Sequence, residues 1–284
     1  MTDPAAKQHV QKRAYYFNDN NMLQLGERTL IMGILNTTPD SFSDGGQYVA
    51  VEAAVEQAKR LLDNGADIID IGGESTRPGS QQVSVEEEIK RVIPIIEAIR
   101  EQLPSAVLSI DTYKAVTAER ALRAGVHIIN DIWGLQYDDQ MATVAATYNC
   151  PVIINHNRPT ANYDALLPNI IADLKTSIAL AEKAGIAAQN IWLDPGIGFA
   201  KNYKENLQVM QSLEQIVALE YPVLLGTSRK RFIQQTLGLS AQEVIQGTCA
   251  TVVIGIMKGC QIVRVHDVAA VKQAALMTDA IVHV

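Results

Sequence analysis

The chain is poor in the residues that announce several common classes of protein. Aromatic residues make up only 5% of its 284 positions and charged residues 19%, against 48% apolar, a balance that suits a soluble protein rich in Ile, Val, Leu and Ala and excludes a disordered one. Its three cysteines, Cys150, Cys249 and Cys260, are odd in number and lack metal-type spacing, so neither a disulfide framework nor a zinc site is expected, and they read as buried thiols in a reducing compartment. Positive charge is in deficit: the formal net charge of −7 argues against binding nucleic acid or an anionic membrane through the bulk field, so any anionic ligand needs a local cluster of cations. The N-terminus has no apolar signal core and no run reaches membrane-spanning length, which makes the cytoplasm the expected location. There is no Walker loop and no GxGxxG fingerprint, so nucleotide hydrolysis and nicotinamide chemistry have no support.

What is present is a repeated beat. Eight short apolar runs recur: TLIMGIL (29–35), DIIDIG (67–72), AVLSI (106–110), HIIN (127–130), PVIIN (151–155), NIWLD (190–194), PVLLG (222–226) and QIVRV (261–265). They are apolar without strict alternation, as strands covered on both faces should be. Helix-period stretches lie between them, and several end in Ala-Gly or Asn-Gly, a helix-stop signal. With no composition break along the chain, the pattern predicts a single (β/α)8 TIM barrel with a short hairpin at Tyr15–Arg28 capping its N-terminal end. Residues 1–14 read as a tail and 15–284 as one domain; a doubly wound sheet is the alternative fold.

Polar residues cluster where each run stops. Asn36 ends the first, Glu74, Thr76 and Arg77 follow the second, and Asp111 ends the third; Asn130 and Asp131 close the fourth, His156 the fifth and Asp194 the sixth. Ser228, Arg229 and Lys230 follow the seventh, and Arg264 and His266 mark the eighth. In a parallel barrel all strand C-termini meet at one face, so these residues are expected around a single cavity. For Asp111 a helix N-cap is the competing explanation, and for His156 a satisfied structural histidine. The loops TPDSFSDGG and GGESTRPGS read as lids. Arg264 sits in an apolar strand and requires a partner or a ring to stack on, and with His266 on the same side it suits a phosphate group. Arg231 reads as solvated surface.

Seven strings, MGILNTTPDSFSDGG, GGESTRPG, SIDTYKA, IINDIWG, DPGIGFAK, GTSRKRFI and IVRVHDV, occur in order from about residue 28 to the C-terminus, and together they resemble dihydropteroate synthase. The resemblance implies a barrel enzyme of folate biosynthesis, normally homodimeric and a sulfonamide target. Such enzymes join 4-aminobenzoate to 6-hydroxymethyl-7,8-dihydropterin diphosphate with the help of Mg²⁺. It further implies a pterin grip by Asp111, Asn130, Asp194 and Lys230 with Arg264 stacked on the ring, and a diphosphate clamp of Asn36, Arg77, Arg264 and His266. Asn36 would also ligate Mg²⁺, Asp111, Arg77 and Lys230 would serve the chemistry, and Thr76, Arg77, Pro78, Phe199, Ser228 and Lys230 would shape the aminobenzoate pocket. The implied reaction is a dissociative displacement, with no covalent enzyme intermediate.

Two departures stand out. Where the family usually has a sequence close to MHMKGTPxxMQ after the fifth strand, this chain has NHNRPTANYDALL, and Ala200 stands where glycine is commoner. Pterin-dependent methyltransferases share the barrel and the Asp/Asn grip and form the alternative reading, beside a catalytically silent pterin-binding paralogue. Methyltransferases have no need of a diphosphate clamp, so Asn36, Arg77, Ser228–Lys230 and Arg264–Asp267 favour the synthase.

Overall fold

The computed structural model describes residues 12–37, 46–75 and 81–282. Strands β3 (Leu30–Asn36), β4 (Ile68–Gly72), β5 (Leu108–Asp111), β6 (Ile128–Asp131), β7 (Val152–Asn155), β8 (Ile191–Asp194), β9 (Leu224–Leu225) and β10 (Ile262–Val265) fall within the eight apolar runs or overhang them by a single residue. All pair in parallel, in the order β8-β7-β6-β5-β4-β3-β10-β9. A bridge between Leu193 and Val223 joins the two ends of that order, so the sheet closes into a barrel and the doubly wound alternative fails.

Around the barrel run helices α1 (Gly46–Asp63), α2 (Val85–Gln102), α3 (Ala115–Arg123), α4 (Met141–Tyr148), α5 (Leu166–Lys183), α6 (Tyr203–Gln211), α7 (Glu214–Val217), α8 (Arg231–Leu237), α9 (Ile245–Met257) and α10 (Val268–Val282). The predicted Ala-Gly stop works as a left-handed cap after α3: Gly125 has φ of 103°, its N–H donates to Leu122 O, and Val126 N–H donates to Ala121 O. The chain is thereby turned directly into β6.

The strand period of two divides the core. Outward residues such as Ile69, Ile71, Ile110, Ile129, Ile154, Leu193 and Val263 meet the helices in one apolar layer. Inward residues form a second cluster inside the barrel, built from Leu30, Met32, Ile68, Val107, Ile128, Ile153, Trp192, Leu224 and Ile262. The N-terminal hairpin, β1 (Arg13–Tyr16) paired antiparallel with β2 (Met22–Leu25), adds Tyr15, Leu23 and Leu25 to that inner cluster and plugs the bottom of the barrel. Trp192 Nε1 donates to the Tyr15 hydroxyl across 2.9 Å, and that hydroxyl donates to Gln189 O across 2.7 Å. The floor is therefore closed, and ligand access belongs to the opposite end.

Candidate active site

Two residues further along each strand, the same inward column turns polar. Ile68 gives way to Asp70 and then Gly72, Val107 to Ser109 and Asp111, Ile128 to Asn130, Ile153 to Asn155, Trp192 to Asp194, Leu224 to Gly226, and Ile262 to Arg264. Strand register sets the rim level: Asn36 lies opposite Gly72, Gly72 opposite Asp111, and Asp111 opposite Asn130, while Asn155 lies opposite Asp194. Asn36, Asp111, Asn130 and Asp194, singled out in the sequence, are thus brought to one cavity mouth above an apolar floor.

Arg264 organises one side. Its Nε donates to Asp70 Oδ2 at 2.5 Å and its Nη2 to Asp111 Oδ2 at 2.6 Å, and Asn130 Nδ2 donates to the same Asp70 oxygen at 3.0 Å. One guanidinium thus serves two buried carboxyl groups. Burial raises the Asp111 pKa, the Arg264 charge opposes that rise and the Asp70 carboxylate adds to it. Asp111 does not cap α3: Lys114 occupies the N-cap position without a side-chain bond, and the first-turn N–H of Ala115 donates instead to Asp138. Among the described residues, Asp70 Oδ1, Ser109 Oγ, Asp111 Oδ1 and Asn155 Oδ1 are buried and accept or donate no hydrogen bond, an unusual concentration that leaves polar edges open to a heterocyclic ligand.

The opposite side is built on DPGIGFAK. Asp194 is buried, its Oδ1 accepts from Gly196 N–H at 2.7 Å, and its pKa is raised by burial against the pull of Lys230. Lys230 donates to Ile197 O, lies 4.8 Å from the Phe199 ring centroid, and is pushed down by burial to about 8. A methyl group placed on Gly226 would lie 3.7 Å from Asp194 Oδ2, 3.8 Å from Lys230 Nζ and 3.9 Å from Arg264 Cβ. Acid, amine and arginine therefore converge over a bare stretch of backbone. Gly72 plays the same part between Asp111 Oδ2 at 3.8 Å and Asn36 Oδ1 at 3.9 Å.

Nearer solvent, Asn36 is exposed at the end of β3, and Ser228 Oγ meets His266 Nδ1 at 3.0 Å while accepting from His266 N–H at 3.1 Å. Arg229 is bound to Asp267 through Nε at 2.9 Å and Nη2 at 2.6 Å, which fixes the loop that presents Lys230. Arg231 is exposed, as expected. Thr76, Arg77 and Pro78 lie outside the described residues. Glu74 is turned away into a buried network with Lys114 (2.6 Å) and Tyr113 (2.7 Å) and accepts from Val83 N–H at 3.0 Å, so it ties the base of the second loop. Asp131 likewise serves the backbone, accepting from Trp133 N–H and Leu135 N–H. His156 is buried and donates to Asp173, the structural alternative.

Sequence reasoning assigned nothing to Asp70, although it is fully buried and shares Arg264 with Asp111. The available signal was Asp70, the carboxylate in the interior of the run DIIDIG, which a strand covered on both faces tolerates only with a partner. No group of three or more His, Cys, Asp or Glu side chains among the described residues is arranged to hold a metal ion. Cys150 and Cys260 are buried free thiols and Cys249 is half-buried. Among the described residues, no helix is long and apolar enough to cross a membrane.

Residues 32–266 match the family described as pterin binding enzyme. The chain is 55% identical over 261 residues to the dihydropteroate synthase of Bacillus subtilis, covering 92% of this chain and 91% of that one. It is 58% identical over 259 residues to that of Clostridium beijerinckii, with coverage of 91% and 96%. Among solved structures it is similar to a dihydropteroate synthase from Clostridium difficile determined in the presence of pteroic acid, at a TM-score of 0.88 and 49% identity over 90% of this chain and 98% of the other. The Xanthomonas albilineans enzyme with 4-aminobenzoic acid superposes at 0.88 with 40% identity, covering 93% and 97% of the two chains. The Yersinia pestis enzyme in a sulfonamide drug complex does so at 0.86 with 39% identity, covering 95% and 98%.

Proposed function

The chain belongs to the pterin-binding enzymes, among the dihydropteroate synthases, and on that footing we propose that its barrel mouth condenses 6-hydroxymethyl-7,8-dihydropterin diphosphate with 4-aminobenzoate. The products are 7,8-dihydropteroate and diphosphate. The observation that carries this reading is the meeting of Asp194, Lys230 and Arg264 over Gly226, with Asp111 and Asn130 across the cavity. A pterin ring is flat and presents adjacent N–H donors and a carbonyl acceptor along one edge. Asp194 accepts from that edge, Lys230 donates to the ring carbonyl and nitrogen, Asn130 and Asp111 complete the rim, and Arg264 lies against the ring face.

Departure of diphosphate requires its charge to be matched. Asn36, Arg264 and His266, with Arg77 from the second loop, form the clamp we assign to it. The described residues suit Mg²⁺ only as an ion that travels with the diphosphate, since Asn36 Oδ1 is a single neutral oxygen and no acidic cluster accompanies it. When bound, Mg²⁺ supplies charge neutralisation of the leaving group. As the bond from the exocyclic carbon to oxygen breaks, positive charge grows on that carbon, and the Asp111 carboxylate is placed to stabilise it. The arylamine nitrogen then forms the new bond and loses a proton. Phe199, Ser228 and Lys230, with Thr76, Arg77 and Pro78, shape the pocket we assign to 4-aminobenzoate, where sulfonamides would compete.

Residues 15–284 act in this reading as one pterin-binding unit working in the cytoplasm. We assign it to a homodimer, supported by the exposed Ile254, Met257, Leu276, Met277 and Ile281 on the neighbouring helices α9 and α10. The test is a coupled assay for diphosphate release. Release that depends on added 4-aminobenzoate is expected. No release beside intact pterin binding would favour the methyltransferase or silent alternatives, and release independent of 4-aminobenzoate would overturn the condensation.

A further inference from the structure

DPGIGFAK contains a second buried cation to which the reading above gives no task. Lys201 Nζ lies 2.8 Å from His156 Nδ1, 2.9 Å from Gly196 O and 3.1 Å from Phe199 O. An ammonium has three N–H bonds and no lone pair, so three acceptors saturate it. His156 Nδ1 must therefore accept, which puts the ring proton on Nε2, where it is donated to Asp173 Oδ2 at 2.9 Å. Burial, and after it the Lys201 charge, pushes His156 down to about 4, in keeping with a neutral ring. Asp173 is held in turn by Arg158 through Nε at 2.6 Å and Nη2 at 3.1 Å. A chain of fixed polarity thus runs from α5 through the unusual loop after β7 into the turn after β8.

That turn starts at Asp194 and carries Phe199. Its backbone is not one an ordinary segment keeps unaided, because Gly196, Gly198 and Ala200 have φ of 70°, 84° and 45°. Lys201 ties together the Gly196 and Phe199 carbonyls. Tyr163 donates to Ala200 O at 2.8 Å, and Asn206 accepts from Gly198 N–H at 2.6 Å, so the loop after β7 and α6 brace the same turn. The charge on Lys201 also favours the ionised form of Asp194, acting with Lys230 and Arg264 against burial.

We propose that Lys201 is a positioning residue for pterin capture: its ammonium holds the shape of the Gly196–Phe199 turn, whose Gly196 N–H donates to Asp194, and adds its positive charge to the surroundings of that carboxylate. The inference rests on the assignment of Asp194 to the pterin. Asp194 is faced by Lys230, Lys201, Arg264 and the Gly196 N–H; Lys201 is faced by Asp194, Lys230, Glu205 of α6, Asp173 of α5 and the neutral His156. Burial lowers Lys201 to about 7, so its charge is present on the acid side of neutrality, where Asp194 needs it.

The test compares Lys201→Met and Lys201→Arg with the parent enzyme, measuring kcat and KM for both substrates across roughly pH 5 to 9. In Lys201→Met the KM for the dihydropterin diphosphate should rise roughly 10- to 100-fold while kcat at saturation changes by less than about threefold. The acid limb of kcat/KM should move to higher pH by about one unit, because Asp194 then protonates more readily. Lys201→Arg keeps the charge and should leave that limb in place even if altered geometry raises KM. Loss of kcat and melting temperature in Lys201→Met with the acid limb unmoved would overturn the electrostatic role and leave a structural brace alone. Should Lys201→Met fail to fold, nitrogen NMR of the parent decides the arrangement: His156 is expected with its proton on Nε2, and a protonated Nδ1 overturns it. A parent that does not bind pterin at all sinks the functional reading, whereas an active parent matched by a fully active Lys201→Met sinks only the role of Lys201.

Discussion

Arg264 Nε and Asp70 Oδ2 meet at 2.5 Å inside the barrel, although 194 positions separate them in the chain. The contact aims the guanidinium across the cavity and leaves its Nη2 for Asp111. Asp70→Asn should free Arg264 to pair wholly with Asp111 and so misplace it for the diphosphate. The expected result is a fall in kcat/KM for the dihydropterin substrate of roughly 10- to 100-fold, with the KM for 4-aminobenzoate little changed. Thermal unfolding should show a loss of about 1–3 kcal/mol, since the amide leaves buried groups imperfectly matched. Unaltered kinetics would remove Asp70 from the site.

Asp194→Asn tests the pterin grip directly. An amide can still accept from Gly196 N–H, so the turn should survive, but it presents only one acceptor oxygen, and no charge, to a donor edge. Calorimetry should find pterin affinity reduced about 100-fold or more. Unchanged affinity would refute the assignment.

The pH dependence of kcat/KM follows from the buried acid and the buried amine. Asp194 must be ionised to accept, and burial raises its pKa, so activity should fall on acidification at a pH above the ordinary carboxylate range. Lys230 must be protonated to donate to the ring carbonyl, and it loses its proton at about 8. The decline on the alkaline side should therefore fall in the Lys230 range. A profile flat across the alkaline region would contradict the Lys230 assignment.

Two glycines should behave differently when replaced by alanine. At Gly226 a methyl group meets only ordinary van der Waals distances of 3.7–3.9 Å, so Gly226→Ala should fold normally yet intrude on the pterin floor, raising KM with little change in melting temperature. At Gly196 the methyl group would lie 1.8 Å from His156 O on a backbone with φ of 70°. Gly196→Ala should therefore cost about 3 kcal/mol or more and disturb the turn itself. Paired melting and kinetic measurements separate the two; equal stability losses would contradict the open floor at Gly226.

Tyr15→Phe probes the closed end of the barrel. It removes the acceptor of Trp192 Nε1 and the donor to Gln189 O, both at the N-terminal plug. Stability should drop by about 1–3 kcal/mol while kcat and KM for both substrates are retained, because the plug is separated from the rim by the apolar inner layer. A loss of activity without a loss of stability would contradict that separation.

The order of strands, the hairpin turn and the glycine caps were legible because each follows from local chemistry: apolar runs of strand length, Asn-rich turns and Gly after a helical stretch. The rim residues were legible for a related reason. A polar residue ending an apolar run marks the strand's exit, and in a parallel barrel every such exit shares one face. Asn36, Asp111, Asn130 and Asp194 were found in this way.

Asp70, Ser109, the partners of His156 and the task of Lys201 were not. Whether a residue within a strand points into the barrel or toward the helices depends on its phase relative to seven other strands, and a carboxylate in an apolar run looks the same in either phase. Which acid shares Arg264 was decided only when β10 and β4 came to flank β3, and the contact of Lys201 with His156 only when β7 and β8 paired. The amino-acid sequence by itself determined the alternating strands and helices and the polar exits, since those depend on neighbours a few positions away. Partnership across the cavity depends on through-space distances of a few ångströms that chain separation does not encode.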